Sequence, residues 1–183
     1  MHTPVLIVGA GPIGLALAGD LGWRGIACTL IERGDGAIEQ PKMDLIGIRT
    51  MEICRRWGIA DWVRDAPYPG DYPQDYVFLT ALNGYEFGRE PFPGRALEAC
   101  PPESPQKRER VPQDMFDPIL QRFVATFPHV TMRYHCELAG YDERAKRCRI
   151  GSNMSCGTRS RFCGLSGGQG SKPRPGKRSR PNS

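Results

Sequence analysis

The 183-residue chain is 39% hydrophobic, which suits one domain with a core, or one domain with part of a second. The formal net charge is +5, but residues 151–183 hold seven Arg or Lys and no acid, so the first 150 residues are close to neutral. No apolar run approaches the roughly 18 residues of a membrane span, and no signal-peptide pattern opens the chain. We therefore expect neither a membrane protein nor an exported one.

Cysteine usage favours the cytoplasm as the location of the protein. The seven cysteines form no CxxC pair and have no metal-ligand spacing, so no metal site is expected. Their odd number fits reduced thiols better than a disulfide framework.

The first 33 residues predict a strand, a turn, a helix and a second strand. The strands fall at residues 4–9 and 27–32, with the helix at about 12–23 between them. This order of elements is the one that a dinucleotide site requires. The expected packing face of the helix consists of apolar and small residues: Ile13, Ala16, Leu17, Ala18 and Leu21.

The turn between the first strand and the helix has the spacing GxGxxG, in the segment Gly9, Ala10, Gly11, Pro12, Ile13 and Gly14. Gly9 is expected to make a tight turn, Gly11 to let the backbone approach a pyrophosphate, and Gly14 to let helix and strand pack closely. The N–H groups that open the helix would face the phosphates. Glu32 lies 23 residues after Gly9, where a carboxylate can bind both hydroxyls of an adenosine ribose. A strand–turn–helix without a ligand is the alternative.

The middle of the chain predicts a helix, a hairpin and a loop. The helix falls at about 44–57, with Gly58 as its C-terminal cap. Residues 76–89 predict a hairpin around Asn83-Gly84, a typical two-residue turn. Residues 91–112 are rich in Pro and charge and predict a loop.

The next segment predicts a helix, a strand and then an unstructured tail. Paired apolar residues every four positions give a helix at 114–127, which Asp114 or Asp117 could cap. Alternating residues predict one half-buried strand over 130–138, and another strand begins at 147–150. From about 151 the chain has almost no large apolar residues, so residues 151–183 are interpreted as a disordered basic tail.

These motifs together resemble one known family. The chain is similar to the amino-terminal part of single-component FAD-dependent aromatic hydroxylases of the p-hydroxybenzoate and phenol hydroxylase type, over residues 4 to about 150. The resemblance implies an α/β fold, with a Rossmann-like FAD-binding domain and part of an inserted β-rich substrate domain. The FAD-binding domain would span residues 1–150, incomplete, and residues 70–110 would contribute to a substrate-domain layer. The motifs that carry the resemblance, besides the glycine turn, are Glu32-Arg33, Pro41-Lys42-Met43, Arg49–Ile53, Arg55–Gly58 and Pro112–Leu120.

The resemblance also implies an activity. NAD(P)H would reduce FAD, O₂ would form a flavin C4a-hydroperoxide, and this would hydroxylate a small aromatic, phenolic substrate. No catalytic residue is assigned. A homodimer is compatible with this interpretation, whereas a membrane or a specific nucleic-acid partner is not expected. The implied cofactor-binding residues are Gly9, Ala10, Gly11, Pro12, Ile13, Gly14, Glu32, Arg33, Lys42, Arg49 and Gln113.

Three alternatives remain at this stage. Two further family motifs, one centred on Asp-Gly and one on Gly-Asp, are absent after residue 150, which favours an inactive chain that is truncated or frameshifted there, with residues 151–183 out of frame. A reductase, halogenase or dehydrogenase on the same FAD domain is the second alternative. A nucleic-acid-binding module based on the basic tail is the third, although the tail lacks interleaved aromatic residues.

Overall fold

The computed structural model describes residues 3–142, 147–152 and 163–164. Its first sheet has three parallel strands in the order β1 (Leu6–Val8), β2 (Cys28–Ile31) and β7 (Val130–Arg133). One helix lies between β1 and β2 in the chain, and three more lie between β2 and β7. The helices are α1 (Pro12–Trp23), α2 (Ile48–Arg56), α3 (Ala60–Arg64) and α4 (Gln113–Ala125).

Three smaller sheets complete the described part of the chain. Strands β3 and β6 form an antiparallel pair, β4 and β5 form a hairpin, and β8, β9 and β10 form an antiparallel sheet. The strands in chain order are β1 (Leu6–Val8), β2 (Cys28–Ile31), β3 (Leu45–Ile46), β4 (Tyr76–Leu79), β5 (Glu86–Glu90), β6 (Glu109–Arg110), β7 (Val130–Arg133), β8 (Cys136–Asp142), β9 (Arg147–Ser152) and β10 (Cys163–Gly164).

The core lies between the parallel sheet and the helices, and α1 packs against α4. A Cβ atom built on Gly19 of α1 would lie 2.8 Å from the ring of Phe123 on α4, so the two helices approach closely because glycine stands there. This contact decides which side of α1 is buried. The fully buried or nearly buried core side chains include Leu15, Ala18, Leu30, Met51, Cys54, Phe116, Leu120 and Phe123.

The predicted packing face of α1 is wrong in large part. Ile13 is 83% exposed and Leu17 is 47% exposed, whereas α1 buries Leu15, Ala18, Gly19 and Gly22. Because α1 is apolar on nearly every side, its periodicity does not select a face. The side with the smallest residues faces α4, since only that side allows the close approach.

The helix predicted at 44–57 begins later than expected, at Ile48. Residues 45 and 46 instead pair with residues 110 and 109, so part of the loop predicted at 91–112 is also a strand. This pairing joins distant parts of the chain and has no local signal. Gly58 has φ +77° and follows α2, as the C-terminal cap prediction required.

The hairpin strands occur as predicted, but the turn is wider than two residues. Leu79 lies opposite Glu86, and the Thr80 N–H donates to the Tyr85 carbonyl at 3.0 Å. The Gly84 N–H donates to the Ala81 carbonyl at 2.9 Å, so Gly84 helps to close a loop over 80–85.

In the described part of the chain no side chain caps helix α4, so the capping predicted for Asp114 or Asp117 is wrong. Pro112 precedes the helix, Asp114 is exposed, and Asp117 is fully buried with its carboxylate turned toward Gln113. Pro118 lies in the second turn of the helix. The carbonyl it leaves without an intrahelical donor is that of Asp114, at the exposed surface.

The single strand predicted over 130–138 is two strands. Residues 130–133 pair in parallel with β2, and the chain then turns at His135, which has φ +54°. The next strand pairs antiparallel with β9. Apolar and polar residues alternate in the sequence over residues 130–138, across the end of one strand and the start of the next, so this pattern conceals the corner between them.

Disorder was expected from residue 151, and this expectation is wrong for four residues. Strand β9 continues through Ser152, and Cys163 and Gly164 pair with Ile150 and Arg149. The remainder of the expected tail lies outside the described residues. Within the described part of the chain, every helix is too short or too polar to cross a membrane.

Candidate functional site

The glycine turn after β1 connects the sheet to the start of α1. Gly9 has φ +101°, and its N–H donates to the Ile31 carbonyl of β2 at 2.8 Å. This positive φ, which L-residues with a Cβ rarely adopt, is the tight turn that the sequence predicts at Gly9. A Cβ atom on Gly14 would overlap the carbonyl oxygen of Gly9, so helix and turn pack without space for a side chain.

The first turn of α1 is open toward the neighbouring cleft. A Cβ atom on Gly11 would have no heavy atom within 4 Å, and Pro12 opens the helix. Among the described residues, no side chain caps this first turn and none within it is acidic. The N–H groups at the start of α1 therefore present a partial positive charge to any anion in the cleft.

Glu32 follows β2 and holds the turn with its carboxylate. Its Oε2 accepts from the Ala10 N–H at 2.8 Å, and its Oε1 accepts from the Gly34 N–H at 2.9 Å. The hydrogen bonds from Gly34 and Ala10 hold the pKa of Glu32 below its usual value. Glu32 is thus a carboxylate at the mouth of the turn, and each oxygen retains a second lone pair for a ligand hydroxyl.

A cleft of about 560 Å³ lies beside the turn. This volume falls within the range of sites for small organic ligands. It brings together most of the predicted site from three separate parts of the chain. The lining residues are Ala10, Gly11, Glu32, Arg33, the segment 34–40, Lys42 and Gln113.

Gln113 joins the loop before β3 to the start of α4. Its Oε1 accepts from the Lys42 N–H at 3.1 Å, its own N–H donates to the Met43 carbonyl at 2.9 Å, and its Nε2 donates to Asp117 Oδ2 at 3.1 Å. Gln113 is buried, so these bonds fix its amide at the wall of the cleft. The Lys42 side chain is exposed at the same wall.

Arg49 is the predicted site residue that lies apart from the cleft. Its side chain is 81% exposed and pairs with Glu52 at 2.7 Å on α2. Pro12, Ile13 and Gly14 form the start of α1 but do not line the cleft. A cofactor contact of Arg49 stays a prediction.

The loop over 34–40 forms much of the cleft wall, although none of its residues was among the predicted site residues. Its signal is the pair Gly34 and Gly36, two residues apart after the acid. Gly36 has φ +83°, and a Cβ atom there would collide with the ring of Tyr134. Because Gly36 has no side chain, the loop can pack closely against Tyr134 at the end of β7.

A second cavity of about 240 Å³ lies along the β3–β6 pair. Residues at or next to this strand pair line both sites: Lys42 and Gln113 line the first cleft, whereas Asp44 and Arg110 line the second cavity. An ion pair joins the Arg110 guanidinium to Asp44, while Arg110 Nε is buried without a hydrogen-bond partner among the described residues. The cavity is lined by Asp44, Leu45, Gln74, Asp75, Tyr76, Phe92, Arg108 and Arg110.

Metal binding has no support in the described residues, where no group of His, Cys, Asp or Glu could hold an ion. Cys28, Cys54, Cys100, Cys136 and Cys148 are free thiols.

Known proteins resemble this chain in both sequence and structure. The FAD-dependent monooxygenase apdD of Emericella nidulans is 43% identical over 79 residues, which are 43% of this chain and 13% of that protein. Phenol 2-monooxygenase of a Pseudomonas species is 34% identical over 126 residues, which are 66% of this chain and 20% of that protein. The rebeccamycin biosynthetic enzyme RebC, solved with reduced flavin, matches this chain with a TM-score of 0.75 at 34% identity. The match covers 87% of this chain and 31% of the RebC chain.

The family model described as "FAD binding domain" matches residues 2–150. The chain therefore belongs to the FAD binding domain family, and its α/β fold is the FAD-binding fold of its structural neighbours. It spans a fifth or less of the length of the two curated relatives above.

Proposed function

We propose that the cleft beside the glycine turn binds FAD and that the chain is the FAD-binding part of an aromatic-ring monooxygenase. The proposal rests on one observation: the glycine turn, Glu32 and Gln113 all contribute to the lining of one cleft of about 560 Å³. Family membership over residues 2–150 supports FAD as the ligand.

The residues present fit the cofactor. Gly11 leaves open space at the start of α1, where N–H groups would bind the pyrophosphate, while Gly9 and Gly14 shape the turn. Glu32 would accept the ribose hydroxyls with its remaining lone pairs. Lys42 would lie near the phosphates and Gln113 would contact FAD, with Ala10 and Arg33 completing the wall.

FAD, when bound, would supply the chemistry that passes electrons from NAD(P)H to O₂ and one oxygen atom to the substrate ring. The contribution of this chain is to bind and orient the cofactor. The names of the relatives, which include phenol 2-monooxygenase, support an aromatic substrate.

We place the aromatic ring of the substrate in the second cavity. Its walls include the rings of Tyr76 and Phe92, and its polar groups are Asp44, Arg108 and Arg110. At about 240 Å³ the cavity lies below the usual range for drug-sized ligands, which favours a single ring. Residues 70–110 would accordingly belong to a substrate-domain layer, and residues 1–150 to an incomplete FAD-binding domain.

Titration of the purified chain with FAD tests the cofactor assignment, with quenching of flavin fluorescence as the readout. We expect saturable binding that Glu32→Leu weakens at least tenfold, because the variant loses the ribose acceptor and leaves two backbone N–H groups unpaired. Glu103→Leu, at an exposed glutamate outside the cleft, is the matched control and should change the affinity little. Equal affinity in all three chains would contradict the proposed orientation of FAD.

Phenol titration followed by NMR tests the substrate assignment separately. We expect chemical-shift changes at Tyr76, Phe92 and Arg110, and none at Arg24, which follows α1 and lies outside this cavity. Shifts spread evenly over the surface would argue against this cavity and for a different FAD oxidoreductase on the same domain. A homodimeric state and a cytoplasmic location remain predictions from the sequence.

A further inference from the structure

Asp117 is a buried carboxyl group with no counter-charge among the described residues. It is fully buried in α4, and none of the ion pairs among the described residues includes it. Its Oδ2 accepts from Gln113 Nε2 at 3.1 Å, whereas its Oδ1 has no hydrogen-bond partner in the described part of the chain. Burial raises the pKa of Asp117. A buried carboxyl group with an unpaired oxygen also lowers the free energy of unfolding. Packing alone would favour an apolar residue, so the carboxyl group calls for another explanation.

The partner of Asp117 is a side chain whose orientation matters. A glutamine amide has one end that accepts and one that donates, and only its partners decide which end faces where. In Gln113 the accepting Oε1 meets the backbone N–H of Lys42 at 3.1 Å, and the donating Nε2 meets Asp117. The opposite orientation would bring the NH₂ group against the Lys42 N–H, donor against donor, and Oε1 against the Asp117 acceptor.

We infer that Asp117 is a positioning residue, which fixes the amide of Gln113 so that Gln113 holds Lys42 at the wall of the cleft. Asp117 itself does not line the cleft and acts only through Gln113. Gln113 also binds the Met43 carbonyl through its own N–H, so the loop before β3 is fastened to α4 at two points, of which Asp117 controls one. The effect on cofactor affinity rests on the proposed function, whereas the effect on the loop does not.

Hydrogen exchange at the backbone N–H of Lys42 tests the inference without any cofactor. In Asp117→Leu, which has similar bulk but no acceptor, we expect this N–H to exchange about tenfold faster, the loss expected for one hydrogen bond. Asp117→Asn offers an acceptor oxygen to Nε2 and should exchange as the unsubstituted chain does. Asp114→Asn, exposed on the same helix, is the control. Unchanged exchange at Lys42 in Asp117→Leu would overturn the inference.

A measurement on the unsubstituted chain covers the case in which Asp117→Leu does not fold. One proton of Gln113 Nε2 bonds to Asp117 in a buried site, so we expect the two side-chain amide protons to exchange at clearly different rates. Fast exchange of both protons would show that Asp117 does not hold the amide, and would overturn the inference.

A double-mutant cycle then separates positioning from a merely structural role. Asp117→Leu should weaken FAD binding about tenfold in the unsubstituted chain and cause no further loss in a Gln113→Leu background. The same loss in both backgrounds would mean that Asp117 acts independently of Gln113. If the unsubstituted chain binds no FAD, the proposed function fails, while the exchange measurements still decide the role of Asp117.

Discussion

Replacing Gly14 with alanine should damage both the fold and the cofactor cleft. A Cβ atom at this position would overlap the carbonyl oxygen of Gly9 and would lie 3.5 Å from Cγ2 of Ile7. The obstructing atom belongs to the backbone of the glycine turn, so no flexible side chain can move aside. Either α1 shifts away from β1 or the turn at Gly9 changes shape.

Two opposing effects set the size of the loss in the free energy of unfolding. Alanine favours a helix interior over glycine by about 1 kcal/mol. Overpacking in a rigid region costs about 1–3 kcal/mol, and the contact with a backbone oxygen places Gly14→Ala at the upper end. We therefore expect a net loss of about 1–2 kcal/mol, which corresponds to a melting temperature lower by several degrees.

Gly11→Ala is the matched comparison within the same turn. Its Cβ atom would meet no heavy atom of the described residues within 4 Å, so the expected loss of stability is only the roughly 0.5–1 kcal/mol by which alanine is worse than glycine at an N-cap. The added methyl group nevertheless enters the space where we place the pyrophosphate. Thermal unfolding by circular dichroism and FAD titration should therefore show the larger loss of stability in Gly14→Ala and a loss of affinity in both. Equal stability of the two variants would refute the steric reasoning.

Three further predictions concern other buried groups. Arg95→Leu leaves Glu109 buried without its 2.7 Å partner, so urea denaturation should show a loss of about 3–5 kcal/mol. Because hydrogen bonds lower the pKa of Glu32, its contribution to stability is present above its ordinary pKa of 4.5 and is lost as the pH falls through its folded-state value. Acid unfolding of Glu32→Gln should lack this loss, and an unchanged pH profile would contradict it. Burial raises the pKa of Cys54 to about 11, so iodoacetamide labelling read by mass spectrometry should modify exposed Cys100 first; faster labelling of Cys54 would contradict its burial.

The glycine turn, α1 and the position of Glu32 could be predicted because their signals are local. A positive φ at Gly9, a helix that opens at Pro12 and an acid after β2 all follow from short spacings in one segment. The cleft brings these residues together with Lys42 and Gln113, which are distant in the chain. Only the family resemblance, not periodicity, suggested that last pairing.

The features that sequence reasoning missed depend on contacts between distant segments. Strands β3 and β6 have two residues each and exist only because they pair with each other. The corner at His135 lacks the glycine that usually marks a positive φ, and the alternation of side chains continues across it. The burial of Asp117 was missed for a similar reason, since an acid near a helix start is commonly a cap, and here the helix begins before it.

Stoichiometric titration of the purified chain with FAD tests the central claim most directly. We expect one FAD to bind per chain, with quenched flavin fluorescence, and Gly11→Val to abolish binding by filling the open space at the start of α1. Flavin fluorescence that stays unchanged in the unsubstituted chain, or binding that Gly11→Val leaves intact, would contradict the claim that this cleft is the FAD site.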